Sequence, residues 1–149
     1  MDRNEMIERL NDLIQLDVDA VEAYSQVIKH LEYDDICRRL RDFQDDHQAH
    51  IQKLRSLIMQ LDGRPIEARP DFKGYLLEGF TMLMSVSGSL GAMEAMKANE
   101  VITNRNYGKA VELPWPEGIK SVLIDNYSQE ERHLNYINDI ITVPRHPLR

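Results

Sequence analysis

The placement of proline constrains the fold of this chain more than any other feature of its sequence. Proline lacks the backbone N–H that a helix interior needs, and it therefore gathers where helices and strands end. The stretches between the prolines are long enough for helices of many turns, so an α-helical fold is predicted. The six prolines stand at positions 65, 70, 114, 116, 144 and 147.

The beginning of the chain shows the apolar periodicity of two amphipathic helices. Apolar residues recur at spacings of three and four over residues 6–31 and again over residues 36–61, as on one face of an α-helix. We expect Asp34 or Asp35 to cap the second helix at its N-terminus. Because the connection is short, the two helices are predicted to form an antiparallel hairpin over residues 4–62.

The middle of the chain predicts a crossover and a broken helix. Residues 63–71 contain two prolines and no periodicity, which is typical of an extended connection along the length of a bundle. Residues 72–112 are too long for one bundle helix. We expect the break in the serine- and glycine-rich run at 85–91. This gives a short helix over 72–86 and a third long helix over 89–112.

The last third of the chain predicts one more helix and a tail. An apolar stripe extends from Ile119 to Ile141, and the second half of the bundle is expected to span residues 72–143, followed by an extended tail over 144–149. No strand pattern competes with these helices. The chain is therefore predicted to be a single all-α domain, residues 1–149, with a four-helix bundle and a long crossover between its second and third helices.

Composition excludes several classes of function. The 149 residues include 18 Lys and Arg against 25 Asp and Glu, a formal charge of −7, which argues against nucleic acid and anionic membranes as partners. Cys37 is the single cysteine, so neither an intramolecular disulfide nor a cysteine-based zinc or iron–sulfur site is expected. Neither a signal peptide nor a membrane-spanning helix is expected. We expect a cytoplasmic protein.

Ionisable side chains lie inside the apolar stripes of all four predicted helices. Burying an unpaired charge is expensive, so such residues need a partner or a metal ion. In the second and fourth helices they form pairs three residues apart, so that both members can reach one centre. The six inward residues are Asp17, His47, His50, Glu100, Glu130 and His133.

Two interpretations of these six residues stay open. They can hold a metal ion, or they can pair with one another in a metal-free polar network. Glu22 and Glu94 are the obvious alternative carboxylates, but they fall off the apolar faces of their helices.

The two halves of the chain form a weak internal repeat. Asp17 is followed seven residues later by Tyr24, and Glu100 is followed seven residues later by Tyr107. Each of these segments precedes a helix that carries one of the pairs. Seven residues are two helical turns, so each tyrosine lies on the same face as its carboxylate. The tyrosines are hydrogen-bond donors to the ligands or radical sites, or they are core residues whose hydroxyls are bonded nearby.

This pattern resembles the ferritin-like superfamily of di-iron carboxylate proteins over nearly the whole chain. In that superfamily two helices each give a carboxylate and the other two each give Glu-x-x-His. The lengths of the hairpins, the proline-bearing crossover and the broken third segment look most like small bacterial ferritin-like proteins related to rubrerythrin. The resemblance implies that Asp17 and Glu100 are terminal carboxylates and Glu130 a bridging one. It also makes His50 and His133 the nitrogen ligands.

One position departs from the family pattern. The sequence has His47 where the family usually has a second bridging glutamate, and imidazole cannot bridge two irons as a carboxylate does. The predicted site therefore has three carboxylates and three histidines, with one negative charge fewer than usual. Asp45 or Asp46 could substitute for the missing glutamate only through a shift of the helix.

The resemblance implies a redox protein with two iron ions, bridged by oxide or carboxylate, that reacts with dioxygen or peroxide in a stress response. An imidazole-rich site also suits zinc, and manganese is a further candidate. The alternative is therefore a structural metal site in a non-enzymatic, dimeric interaction protein. A third alternative is an interaction protein whose six residues form a metal-free network. We expect a homodimer under each of these hypotheses.

Overall fold

A computed structural model describes residues 1–71, 80–85, 88–142 and 148 of the chain. Four long helices account for most of these residues, and none of the described residues lies in a strand. The predicted all-α class and the four main helices are confirmed. Their bounds are α1, Arg3–Lys29; α2, Asp34–Gln60; α3, Gly88–Val111; and α4, Glu117–Thr142.

The N-termini of the first two helices are capped differently. Asp2 caps α1, because its carboxylate accepts the N–H of Glu5 at 2.8 Å. At α2 the prediction of a capping aspartate is wrong. Tyr33 occupies the cap position without a side-chain hydrogen bond, and Asp34 and Asp35 already lie in the first turn. There their negative charges interact favourably with the positive end of the helix dipole.

The predicted break between the short helix and the third long helix is partly visible. Residues 80–85 are helical, and α3 begins at Gly88, whose φ of 58° belongs to the left-handed region that favours glycine. Residues 72–79 and 86 of the predicted short helix lie outside the described residues. So does the predicted extended tail, apart from Leu148.

The crossover is held against α1 by polar side chains spaced one turn apart. Asn11, Gln15 and Asp19 recur at every fourth position and therefore form one row along the helix. Their bonds satisfy backbone groups of an extended segment that has no ladder of its own. Asn11 accepts the N–H of Ile66 at 2.9 Å, Gln15 donates to the carbonyl of Arg69 at 2.8 Å, and Asp19 accepts the N–H of Asp71 at 2.7 Å.

The apolar core consists of two clusters, one toward each end of the bundle. One cluster includes Leu10 of α1 and Leu54 of α2, and the other includes Val27 of α1 and Leu40 of α2. Each helix contributes to both clusters and passes between them in its middle. The long crossover makes α3 run parallel to α2, because it returns the chain to the end from which α2 started. Among the described residues, no helix is both long and apolar enough to cross a membrane.

The core assignment predicts a large loss of stability on truncating Leu54. Its side chain is fully buried, so Leu54→Ala should lower the free energy of unfolding by about 2–5 kcal/mol. The measurement is urea denaturation in the presence of a chelator. Ile124→Ala is the control, because Ile124 is 47% exposed and its truncation should cost less than about 1 kcal/mol. Equal losses in the two variants would contradict the assignment.

Candidate metal centre

A layer of ionisable side chains separates the two apolar clusters. The apolar periodicity of the sequence predicted six inward residues. The structure buries all of them, with at most 1% of the surface of each residue exposed. Glu22 and Glu94 are only half-buried and belong to no potential metal-binding group among the described residues. The layer consists of Asp17 from α1, His47 and His50 from α2, Glu100 from α3, and Glu130 and His133 from α4.

The six side chains form two overlapping groups of potential ligands. In each group one nitrogen or oxygen atom from every residue lies within 4.8 Å of the others. His47 and Glu130 belong to both groups, so they occupy the centre of the layer. The first group is Asp17, His47, His50 and Glu130, and the second is His47, Glu100, Glu130 and His133.

His47 connects the carboxylates of the two halves. Its Nδ1 lies 2.7 Å from Oδ1 of Asp17, and its Nε2 lies 2.9 Å from Oε1 of Glu100. An ionised carboxylate can only accept a hydrogen bond, so both ring nitrogens donate. His47 is therefore an imidazolium cation in this arrangement.

The two buried tyrosines each donate to a carboxylate of the opposite half. The hydroxyl of Tyr24 in α1 donates to Oε1 of Glu100 in α3 at 2.7 Å. The hydroxyl of Tyr107 in α3 donates to Oδ2 of Asp17 in α1 at 2.6 Å. Both tyrosines therefore orient ligand-type side chains, as hydrogen-bond donors near the cluster.

Two further residues hold the histidines at the layer. Nε2 of His133 donates to Oδ2 of Asp46 at 2.8 Å, and Nε2 of His50 donates to Oε1 of Gln129 at 2.6 Å. Hydrogen bonds of this kind fix the orientation of a metal-binding imidazole. From the sequence, Asp46 was a candidate only as a substitute ligand, and Gln129 was not a candidate. The internal repeat could have identified both residues, because Asp46 immediately precedes His47 and Gln129 immediately precedes Glu130.

Two buried atoms in the layer lack a hydrogen-bond partner among the described residues. They are Oε1 of Glu130 and Nδ1 of His133. Oε1 of Glu130 lies 3.2 Å from Nδ1 of His50, but the geometry is not that of a hydrogen bond. A buried polar atom without a partner costs free energy. Carboxylate oxygen and imidazole nitrogen are also the atoms that bind iron, manganese and zinc, so the donor set fits a metal ion.

The histidines are protonated in the metal-free layer. Burial alone would lower the pKa of His47, but the charges of Glu130 and Glu100 hold it well above its ordinary value of 6.5. Burial also opposes charge on His50, whose pKa its bond to Asp17 raises to about 9. At His133 burial is again outweighed, and the bond to Asp46 raises the pKa to about 10.

The pKa values of the three carboxylates in the layer shift in different directions. Burial favours the neutral form of Asp17, but hydrogen bonds from His47 and His50 lower its pKa below the ordinary value. Burial is likewise outweighed at Glu100, where the charge of His47 holds the pKa well below its usual range. Burial raises the pKa of Glu130, although the charge of His47 opposes the shift. Without metal, the layer is a network of ion pairs that a metal ion must displace.

The sequence matches one family model over more than half of its length. The model of the domain of unknown function DUF2383 matches residues 5–113. The chain belongs to this family. The match covers Asp17 and Glu100 with both histidines of α2, whereas Glu130 and His133 of this DUF2383 chain lie beyond it.

A solved structure shares the fold of this DUF2383 chain. It is described as a ferritin-like, diiron-carboxylate protein from Bacillus anthracis str. Ames. The two chains are 17% identical, with a TM-score of 0.73, over 95% of this chain and 100% of the other. The predicted ferritin-like fold is thereby confirmed. The comparison with curated proteins gives no match.

Proposed function

We propose that this chain binds two metal ions, iron first, in the polar layer, and that it is a cytoplasmic redox protein of the stress response. One observation carries the proposal. Two groups of four ligand atoms overlap at the centre of a buried layer, and they share His47 and Glu130. Such an overlap is what a pair of neighbouring ions needs. The ferritin-like, diiron-carboxylate description of the B. anthracis structure supports iron as the first choice.

In this proposal each half of the bundle holds one ion. Asp17 and His50 serve one, Glu100 and His133 serve the other, and Glu130 lies between them. The tyrosine hydroxyls keep the two terminal carboxylates in place. The apolar clusters on both sides of the layer keep bulk water away, which strengthens every electrostatic interaction inside.

Bound iron would supply the electrons that reduce dioxygen or peroxide, and a reductant from outside the chain would return them. The protein's own part is to exclude water and to hold the ligands. Each histidine must give up a proton when it binds metal, and the neighbouring carboxylates then lose a cationic partner. The charge of the layer therefore stays nearly constant when metal replaces protons.

Metal content tests the proposal directly. Protein purified without affinity-tag metals should contain near two iron ions per chain, and after anaerobic ferrous loading it should oxidise iron faster than free iron on exposure to air or peroxide. Glu130→Ala should lose most of this metal, because Glu130 belongs to both ligand groups. Glu131→Ala is the control, because Glu131 is the exposed neighbour in the same helix turn. Absence of bound metal after reconstitution would overturn the proposal.

The three buried imidazoles favour a second candidate, a structural zinc site in a non-enzymatic protein that acts as a homodimer. This candidate predicts about one zinc ion per chain, no redox turnover, and a melting temperature that falls when a chelator is added. A chelator-insensitive melting temperature would contradict it.

A further inference from the structure

We propose that the two halves of the metal layer are unequal, and that the Glu100 half-site binds its ion first and more tightly. The Glu100 half-site is defined as Glu100, Glu130 and His133. The Asp17 half-site is defined as Asp17, Glu130 and His50. The inference rests on the proposed metal binding, and it concerns the order and affinity of the two ions.

His47 can complete only one half-site at a time. A neutral imidazole has one nitrogen lone pair for a metal, and its other nitrogen carries hydrogen. If Nε2 of His47 serves the Glu100 half-site, its Nδ1–H keeps the 2.7 Å bond to Asp17. If Nδ1 of His47 serves the Asp17 half-site instead, its Nε2–H keeps the 2.9 Å bond to Glu100. His47 therefore makes the two half-sites unequal in ligand number, and the residues around them decide which one it completes.

The residues that hold the outer nitrogens of His133 and His50 favour the Glu100 half-site. His133 donates to a carboxylate, Asp46, whereas His50 donates to a neutral amide, Gln129. A carboxylate partner raises the basicity of a metal-binding imidazole more than an amide does, because it stabilises positive charge on the ring. Asp46 also adds a negative charge close to the Glu100 half-site, and Gln129 adds none to the other.

The ring of His133 is also the more firmly positioned of the two. It stacks on Phe43 with ring centroids 4.4 Å apart and an angle of 28° between the planes. His50 meets Tyr107 edge-on, with centroids 5.9 Å apart. A ligand whose orientation is fixed before binding loses less conformational freedom when the ion arrives.

Stepwise addition of Co²⁺ to the metal-free protein tests the inference. The visible absorption of bound cobalt should rise in two phases whose dissociation constants differ by about tenfold or more. Asp46→Asn should weaken the tight phase by about 10–100-fold, as is typical when the partner of a metal-binding histidine is changed. Gln129→Glu should strengthen the weak phase, and the double variant should reverse the order of filling.

Two more variants assign the phases, with folding checked by circular dichroism. His133→Ala should remove the tight phase, and His50→Ala should remove the weak one. Two equal phases in the unchanged protein, or an order that the double variant leaves as it was, would overturn this inference alone. Absence of any cobalt binding would overturn the proposed function together with it.

Discussion

Replacing His47 with leucine should lower the free energy of unfolding of the metal-free protein by about 3–5 kcal/mol, because it removes one partner of a buried ion pair. The imidazolium of His47 lies between Asp17 and Glu100, and all three side chains are fully buried. Leucine leaves the two carboxylates without this cation. The measurement is urea denaturation of chelator-treated protein.

His30→Leu is the matched control for this prediction. His30 is exposed at the end of α1, and its ring bonds the carbonyl of Gln26 one turn earlier, so its replacement should cost less than about 1 kcal/mol. His47→Glu separates charge from packing. It introduces the glutamate that the resemblance to the ferritin-like superfamily implies at this position, so the metal-free protein should be destabilised like the leucine variant, and added metal should recover the loss. A His47→Leu protein as stable as the His30→Leu protein would show that His47 is not the central cation.

The metal-free protein should lose on the order of several kcal/mol of stability as the pH rises from about 6.5 to about 10. The pKa values of His50 and His133 are raised from 6.5 to about 9 and about 10, and that of His47 is raised well above 6.5. A histidine whose pKa is raised by folding contributes its full stabilisation when the pH is below the pKa of the unfolded state. This stabilisation is lost as the pH rises through the pKa of the folded state.

Acid should destabilise the protein through the carboxylates. The pKa values of Asp17 and Glu100 are lowered, so their stabilisation is present above the unfolded values near 4 and is lost as the pH falls through the folded ones. Glu130 acts in the opposite direction, because its pKa is raised. The metal-free protein should be most stable between about pH 4.5 and 6.5.

Urea denaturation across this range, with and without added metal, checks the prediction. Metal binding requires deprotonated histidines, so the stabilisation that metal provides should grow with pH over the range in which the metal-free protein weakens. A metal-free stability that stays level up to pH 10 would contradict the assignment of protonated histidines. Stability that falls with pH but does not recover with metal would contradict only the proposed metal binding.

The helices were predictable because their signals are local. Apolar spacing, proline placement and the glycine at the start of α3 act within a few residues of chain, and they located all four long helices within about three residues. The cap of α2 was not predictable in this way. Asp34 and Asp35 are good capping residues, but Tyr33 occupies the cap position and both aspartates lie in the first turn.

Much of the candidate site was also predictable. A residue's place on a helix face follows from its position in the sequence, so Asp17 and Glu100 could be assigned to the interior before their surroundings were known. Asp46 lies at the edge of its stripe, and its role as the partner of His133 was not predicted. Its importance comes from a bond to His133, a residue 87 positions away.

By itself, the sequence determined which side chains enter the interior, because the spacing of apolar residues along each helix shows which face of that helix is buried. Only the tertiary structure decided which of them meet. The bond from Tyr24 to Glu100 and the bond from Tyr107 to Asp17 depend on the axial register of α1 against α3. The pairing of His133 with Asp46 depends in the same way on α2 and α4. Register between helices is set by the interlocking of side chains across their interface, which the periodicity of one helix does not contain.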